Sequence, residues 1–269
     1  MKPSSYIVSF CCKVGVVLSL YSCSNSDNIT DSTGKRQPGL PHALIAEFGG
    51  DTLFALLTVH YGDDSGPLQT LQQIQTVQAF FADSNSLFNP TSASYNGTPL
   101  HNVERGESHP GQFWPAADVP VLNGLTPSVS WNVTDYLGAN LSQTVLIAPS
   151  FGTMTSMNLM DTVSKQSGFA IVYDNIVGED SLLVIMSYSE ALTDAYVHPD
   201  SVSGAGIMTM LVPDNGTVTI PSSAMSGFTP NRVFNLSVTR YKYSTFSHVG
   251  HTIGHASSYT RSTSVYLKP

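Results

Sequence analysis

No cysteine follows Cys23. The three in the chain, Cys11, Cys12 and Cys23, all lie near its start. Downstream of them a disulfide framework, a cysteine-based zinc site and thiol catalysis are excluded. Charge is scarce too. Only 11% of residues are Asp, Glu, Lys or Arg, against about a quarter in an ordinary domain. The 11 basic residues form no run and are outnumbered by 19 acidic ones. A polyanion would meet net repulsion from a formal charge of -8, which argues against a nucleic-acid partner.

Catalytic signatures are missing as well. A serine hydrolase elbow needs Gly-x-Ser-x-Gly on a strand-helix turn. The nearest stretch, Gly106-Glu107-Ser108-His109-Pro110-Gly111, has the wrong spacing and reads as a loop. Calcium loops of the Asp-x-Asp-x-Asp type are absent. Asp63 and Asp64 in "GDDSG" read as an acidic turn, with calcium conceivable there. Glu179-Asp180 and the set Glu190, Asp194 and Asp200 are possible carboxylate pairs of the kind a glycosidase needs, but they sit in turn-like contexts. Helical periodicity is nearly absent; Leu68, Leu71 and Ile74 allow one short helix.

What the chain has in quantity is Ser, Thr, Asn, Gly and β-branched residues, the composition of an all-β protein. Short apolar or alternating runs recur between turn residues. Before residue 140 these include "LFALLTVHY", "TVQAFFAD" and "SVSWNV". After it come "VLIAP", "FAIVY", "LLVIM", "IMTMLV", "TVTI", "VFNLSVTRY" and "SVYLK". The pattern predicts an Ig-like β-sandwich architecture, organised as two units, residues 41–140 and 141–269, with a single larger sandwich as the alternative. Asn96-Gly97 predicts a type I′ hairpin turn. Pro213-Asp214-Asn215-Gly216 predicts a second hairpin turn, joining "IMTMLV" to "TVTI". "LLVIM" is apolar on both faces, as in a strand covered on both sides. In "VFNLSVTRY", Phe234, Leu236 and Val238 share one face.

The first 22 residues pair a basic start with two short apolar runs broken by Lys13. That is a secretory signal, too interrupted for a comfortable membrane span. It ends in Leu20-Tyr21-Ser22-Cys23, which resembles a bacterial lipobox. The resemblance implies lipidation of Cys23 and an anchor in the bacterial cell envelope, as in an outer-membrane lipoprotein. Residues 23–40 are polar with Gly and Pro and read as a flexible tether. The order of lipobox, tether, "YNG" turn, "SVSWNV", "GFAIVYDNIVGEDSLLVIMS", "VPDNGTVTIPSSAMSGFTPN" and "NLSVTRY" resembles exported lipoproteins of Bacteroidota-type bacteria with β-sandwich ectodomains. That resemblance implies location and fold, not chemistry. It also implies O-glycosylation at Asp-Ser/Thr-aliphatic triplets such as Asp161-Thr162-Val163.

Two features remain as candidate sites. "HVGHTIGH" places His248, His251 and His255 within eight residues. Imidazole is the commonest transition-metal ligand, so zinc or copper is the cofactor such a cluster would take. In a straight strand His251 and His255 share a face and His248 points away. Convergence therefore requires a bend at Gly250 or Gly254, and the leading reading is a polar hairpin tip. The second feature is Trp114 in "GQFWPAAD", a candidate platform for a glycan; Trp131 has core parity with Val129 and Val133. The expected function is a non-enzymatic envelope module that binds glycan or another envelope protein. A metal-binding lipoprotein and a glycan-active enzyme are the alternatives.

Overall fold

The computed structural model describes residues 53–269, apart from 66–71, 84–85, 88, 105–106, 109–110, 118, 120–121, 123–126, 156, 159, 178–180 and 189–206. The signal (1–22), Cys23 and the tether lie outside the described residues, as do Leu68 and Leu71.

The chain is all-β. Its strands run, in order, β1 (Leu53–Ser65), β2 (Gln72–Asp83), β3 (Ser86–Leu87), β4 (Ser92–Tyr95), β5 (Thr98–His101) and β6 (Val103–Glu104). Then come β7 (Glu107–Ser108), β8 (Gln112–Pro115), β9 (Ser128–Thr134), β10 (Asn140–Leu146), β11 (Met154–Thr155) and β12 (Asp161–Ser164). The last are β13 (Phe169–Tyr173), β14 (Ser181–Tyr188), β15 (Ile207–Pro213), β16 (Thr217–Ile220), β17 (Arg232–His248) and β18 (His251–Lys268). A 3-10 turn at Ser222–Met225 is the helical element among the described residues.

One mixed sheet holds most of these strands in the order β10-β9-β4-β5-β8-β2-β1-β18-β17-β14-β15. A small sheet, β11-β13-β16, and a two-stranded ladder, β6-β7, complete the framework among the described residues. The large sheet folds over on itself. Trp131 on β9 meets His255 on β18 edge-on at 6.2 Å between rings. Beyond β10, Ala148 N–H donates to Ser257 Oγ on β18 at 2.9 Å, and the Tyr61 hydroxyl on β1 donates to the Ala148 carbonyl. The β10-β9-β4 layer thus lies against the β1-β18-β17 layer, and the core fills the space between, as in a sandwich. Phe54, Leu57, Val59, Val77, Phe81, Tyr95, Trp131, Leu236 and Val265 all belong to this one cluster.

Alternation explains the burial. In β9, Val129, Trp131 and Val133 are buried while Ser128 and Asn132 are exposed. Asn96 and Gly97 take φ values of 46° and 79° between the antiparallel β4 and β5, the I′ turn their chemistry favours. β14 is buried on both faces, with Leu182, Leu183, Val184 and Met186 all at 0% exposure. The division expected near residue 140 is crossed by the sheet. β1 runs parallel to β18, pairing Leu53 with Thr252 through to Ser65 with Thr263. Gly62 permits their closest approach, because a Cβ there would lie 1.9 Å from the Thr260 carbonyl oxygen.

Three local expectations are corrected. Ile74 lies in strand β2, not in a helix: β2 finds ladder partners on β1 and β8, and pairing outweighs local spacing. Gly62–Ser65 of "GDDSG" do not form a turn; Asp63 and Asp64 are strand residues paired with β2 and β18. Pro213–Gly216 does not close a hairpin. β15 pairs with β14 in the large sheet and β16 with β13 in the small one, so the segment is a corner between sheets. The reason is Asp214, drawn inward to 3% exposure by the ion pair described next.

Candidate functional site

The alternation that puts Phe234, Leu236 and Val238 in the core puts Arg240 there too, at 0% exposure. A guanidinium carries five donors in a fixed fork, and burial demands partners for them. Arg240 Nε donates to Asp214 Oδ2 at 2.8 Å and Nη2 to Asp214 Oδ1 at 3.0 Å, a bidentate pair. Nη1 donates to the Pro149 and Ser150 carbonyls, both at 3.0 Å, and Nη2 to that of Asn175 at 2.7 Å. The cation lies 4.5 Å from the centre of the Phe151 ring. Tyr173 donates its hydroxyl to Asp214 Oδ1 at 2.7 Å, and burial with that bond pushes its pKa up to about 12. Three separate segments, 149–151, 173–175 and the Asp214 corner, are tied to β17 through one side chain. Sequence reasoning missed this node, although a charged residue continuing an apolar face was its visible signal.

A second ionic contact joins β1 to β18. Arg261 Nη1 reaches Asp63 Oδ2 at 3.1 Å, and the Tyr259 hydroxyl donates to the same oxygen at 2.5 Å. Asp63 is therefore engaged inside the sheet, not displayed on an acidic turn.

The histidines sit along the β17–β18 hairpin. Its turn is Val249-Gly250, with φ of 49° and 80°. The bend at Gly250 exists, and it pairs His248 directly with His251. Directly opposed residues share a sheet face, so the turn brings His248 onto the side that His251 and His255 occupy. The three still do not meet. His251 stacks on Phe54 at 4.3 Å. His255 lies four residues further along β18, about 13 Å away at strand rise. It is fully buried beside Trp131, opposite Ser244, with no hydrogen bond to either ring nitrogen among the described residues. Burial, with the Lys242 charge adding, lowers its pKa to about 4. Only Val249 and Gly250 form the tip, so the expected polar tip is shorter than "HVGHTIGH". Among the described residues, no three His, Cys, Asp or Glu side chains are grouped to hold a metal ion.

His60 is a further histidine with burial as its cause of perturbation. It shares a 2.6 Å hydrogen bond with Ser258 Oγ, and burial lowers its pKa to about 4.

Trp131 is in the core at 0% exposure, as its parity predicts. Trp114 lies half-buried on β8, opposite His101 on β5. Beside these strands, β4, β9 and β10 carry a cleft of about 390 Å³ on their solvent side. Ser, Thr and Asn side chains, Asn132 and Asn140 among them, line it together with Pro99, Ala93, Val133 and Leu141, with no Asp, Glu, Lys, Arg or His. This is a concave surface of mixed polar and apolar lining that single-strand periodicity could not show, because it is assembled from β4, β5, β9 and β10.

No family model matches the chain, and no curated protein matches it.

Proposed function

We propose that the protein is a lipid-anchored, extracytoplasmic binding module without catalytic activity, displayed from the bacterial cell envelope on its 23–40 tether. One observation carries the binding role. Buried Arg240 and Asp214, buried Asp135 and the partly buried Arg261 and Asp63 are all engaged in cohesion, while a cleft of mixed hydroxyl, amide and apolar lining, without charged side chains, stays open. A site built to bind keeps polar groups unengaged; a site built to transform a substrate needs titratable groups aimed at it. The anchor rests on the lipobox-like Leu20–Cys23 and the polar stretch behind it.

Two measurements test the proposal. Full-length protein partitions with membranes and carries acyl mass at its N-terminus; Cys23→Ser abolishes both. An array of envelope glycans and a pull-down of envelope proteins give at least one saturable partner. Soluble wild-type protein without acyl mass, or blanks in both binding assays, would refute the corresponding half.

A further inference from the structure

The strand register aligns the outward side chains of five neighbouring strands. Thr134 lies between Asn140 on β10 and Ser92 on β4. Asn132 lies between Ser142 and Ser94, and Ser94 faces Pro99 on β5. His101 then faces Trp114 on β8. The alternate residues Ala93, Leu100, Phe113, Val133 and Leu141 are all buried, which fixes the first set on the outer face. Strands are spaced by about 4.8 Å, so Trp114 lies about 10 Å across the sheet from β4. The cleft of about 390 Å³ over β4, β9 and β10 falls within the roughly 300–1,000 Å³ of small-ligand sites.

The chemistry of this face narrows the ligand. No charged side chain lines the cleft, so neither an anion nor a cation finds a counter-charge. Its floor is hydrogen-bonded sheet in which β9 and β4 are paired on both sides, so a peptide could add as a strand only along the outer edge of β10 and not on the floor itself. Recognition on the floor is left to side chains. Thr134 Oγ1 is bonded to Asn140 Oδ1 at 2.7 Å. Ser92, Ser94, Asn132 and Ser142 have no side-chain hydrogen bond among the described residues. Hydroxyl and amide groups both donate and accept, which matches ligand hydroxyls that do the same. Pro99 and Trp114 add apolar plates at one end, suited to the C–H face of a sugar ring.

We infer that the outer face of β10-β9-β4-β5-β8 binds a neutral saccharide, with Asn132, Ser94 and Ser142 bonding its hydroxyls and Trp114 stacking on a ring. The inference rests on the binding-module reading and specifies its ligand and site.

The test is affinity electrophoresis and titration calorimetry of the full-length chain with dextran, laminarin, mannan, arabinoxylan and starch. Polygalacturonate and heparin serve as charged controls. At least one neutral glycan binds and the charged ones do not. Asn132→Ala with Ser142→Ala weakens that binding at least tenfold, and so does Trp114→Ala, while Trp114→Tyr restores part of it. Ser237→Ala, on another strand's solvent side, changes nothing. Amide chemical shifts of β4, β9 and β10 move on titration. Binding kept within twofold by the double variant, with its melting unchanged, overturns the site but leaves a binding module. Blanks with every neutral glycan overturn the saccharide class. If an envelope protein binds instead, the broader reading survives alone.

Discussion

Two polar regions of this molecule use the same kinds of group to opposite ends. Around Arg240, every donor is matched to an acceptor of the chain itself, and the node is sealed by Phe151 and Tyr173. On the outer face of β4, β9 and β10, the side chains of Ser92, Ser94, Asn132 and Ser142 stand in a cleft with no side-chain hydrogen bond among the described residues. The difference lies in burial. An enclosed polar group must be paired or it destabilises the fold; an exposed one can be left open without penalty. Polarity that is buried reports on stability, and polarity that is concave and unpaired reports on binding.

The sharpest way to break this contrast is at the node. Arg240→Ala leaves the Asp214 carboxylate buried and uncompensated, which costs about 3–5 kcal/mol. Urea unfolding monitored by tryptophan fluorescence measures it. A loss below about 1 kcal/mol, the range of an exposed pair, would show that the node is wetter than described.

The next effect concerns acid. His255 is neutral in the folded state, with its pKa lowered from 6.5 to about 4 by burial. Between those values the unfolded chain binds more protons than the folded one, so stability falls as pH drops through that window. The full difference is on the order of 3 kcal/mol. Lys242 is the charged neighbour that adds to it. Thermal melts from pH 7 to pH 4 should fall more steeply for the wild type than for His255→Leu. Parallel curves would refute this role, and His60 would then be the remaining histidine to test, since burial lowers its pKa likewise.

A smaller effect lies at the hairpin turn. Val249 holds a φ of 49°, which a β-branched residue adopts only under strain. Val249→Asn creates the Asn-Gly pair that a I′ turn favours, and stabilises the protein by about 1 kcal/mol. A rise of a few degrees in Tm is the expected reading; a fall would mean that the exposed valine packs against something at the tip.

The smallest effect is on the open face. Asn132→Ala changes stability by no more than about 0.5 kcal/mol, because the residue is exposed and unpaired. A larger loss in the same melts would return the cleft to the structural side of the comparison.

Much of the framework was legible because it obeys local rules. The parity of Val129, Trp131 and Val133 and the Asn96-Gly97 turn needed no tertiary context. The misreadings share one cause. Pro213–Gly216 has turn chemistry that serves a hairpin and a corner equally, and only Asp214 reaching Arg240 decides between them. Ile74 kept helical spacing with Leu71, but strands on either side of β2 overrode it. "HVGHTIGH" reads as a polar hairpin tip, and it does span the β17–β18 turn, but the tip itself is only Val249-Gly250. The rest belongs to the two strands, since β17 and β18 are paired along their full length. The candidate cleft was illegible for a different reason. Its residues come from β4, β5, β9 and β10, and only the register sets Asn132 beside Ser94 and Ser142.

The parallel pairing of β1 with β18 joins the first described strand to the last. Contacts so distant in sequence slow folding, since a long loop must close before they form. The central ladder cannot assemble until the final residues of the chain are present. Deleting β18 would leave β1 and β17 without their shared partner, so the molecule has its folding trigger at its last strand.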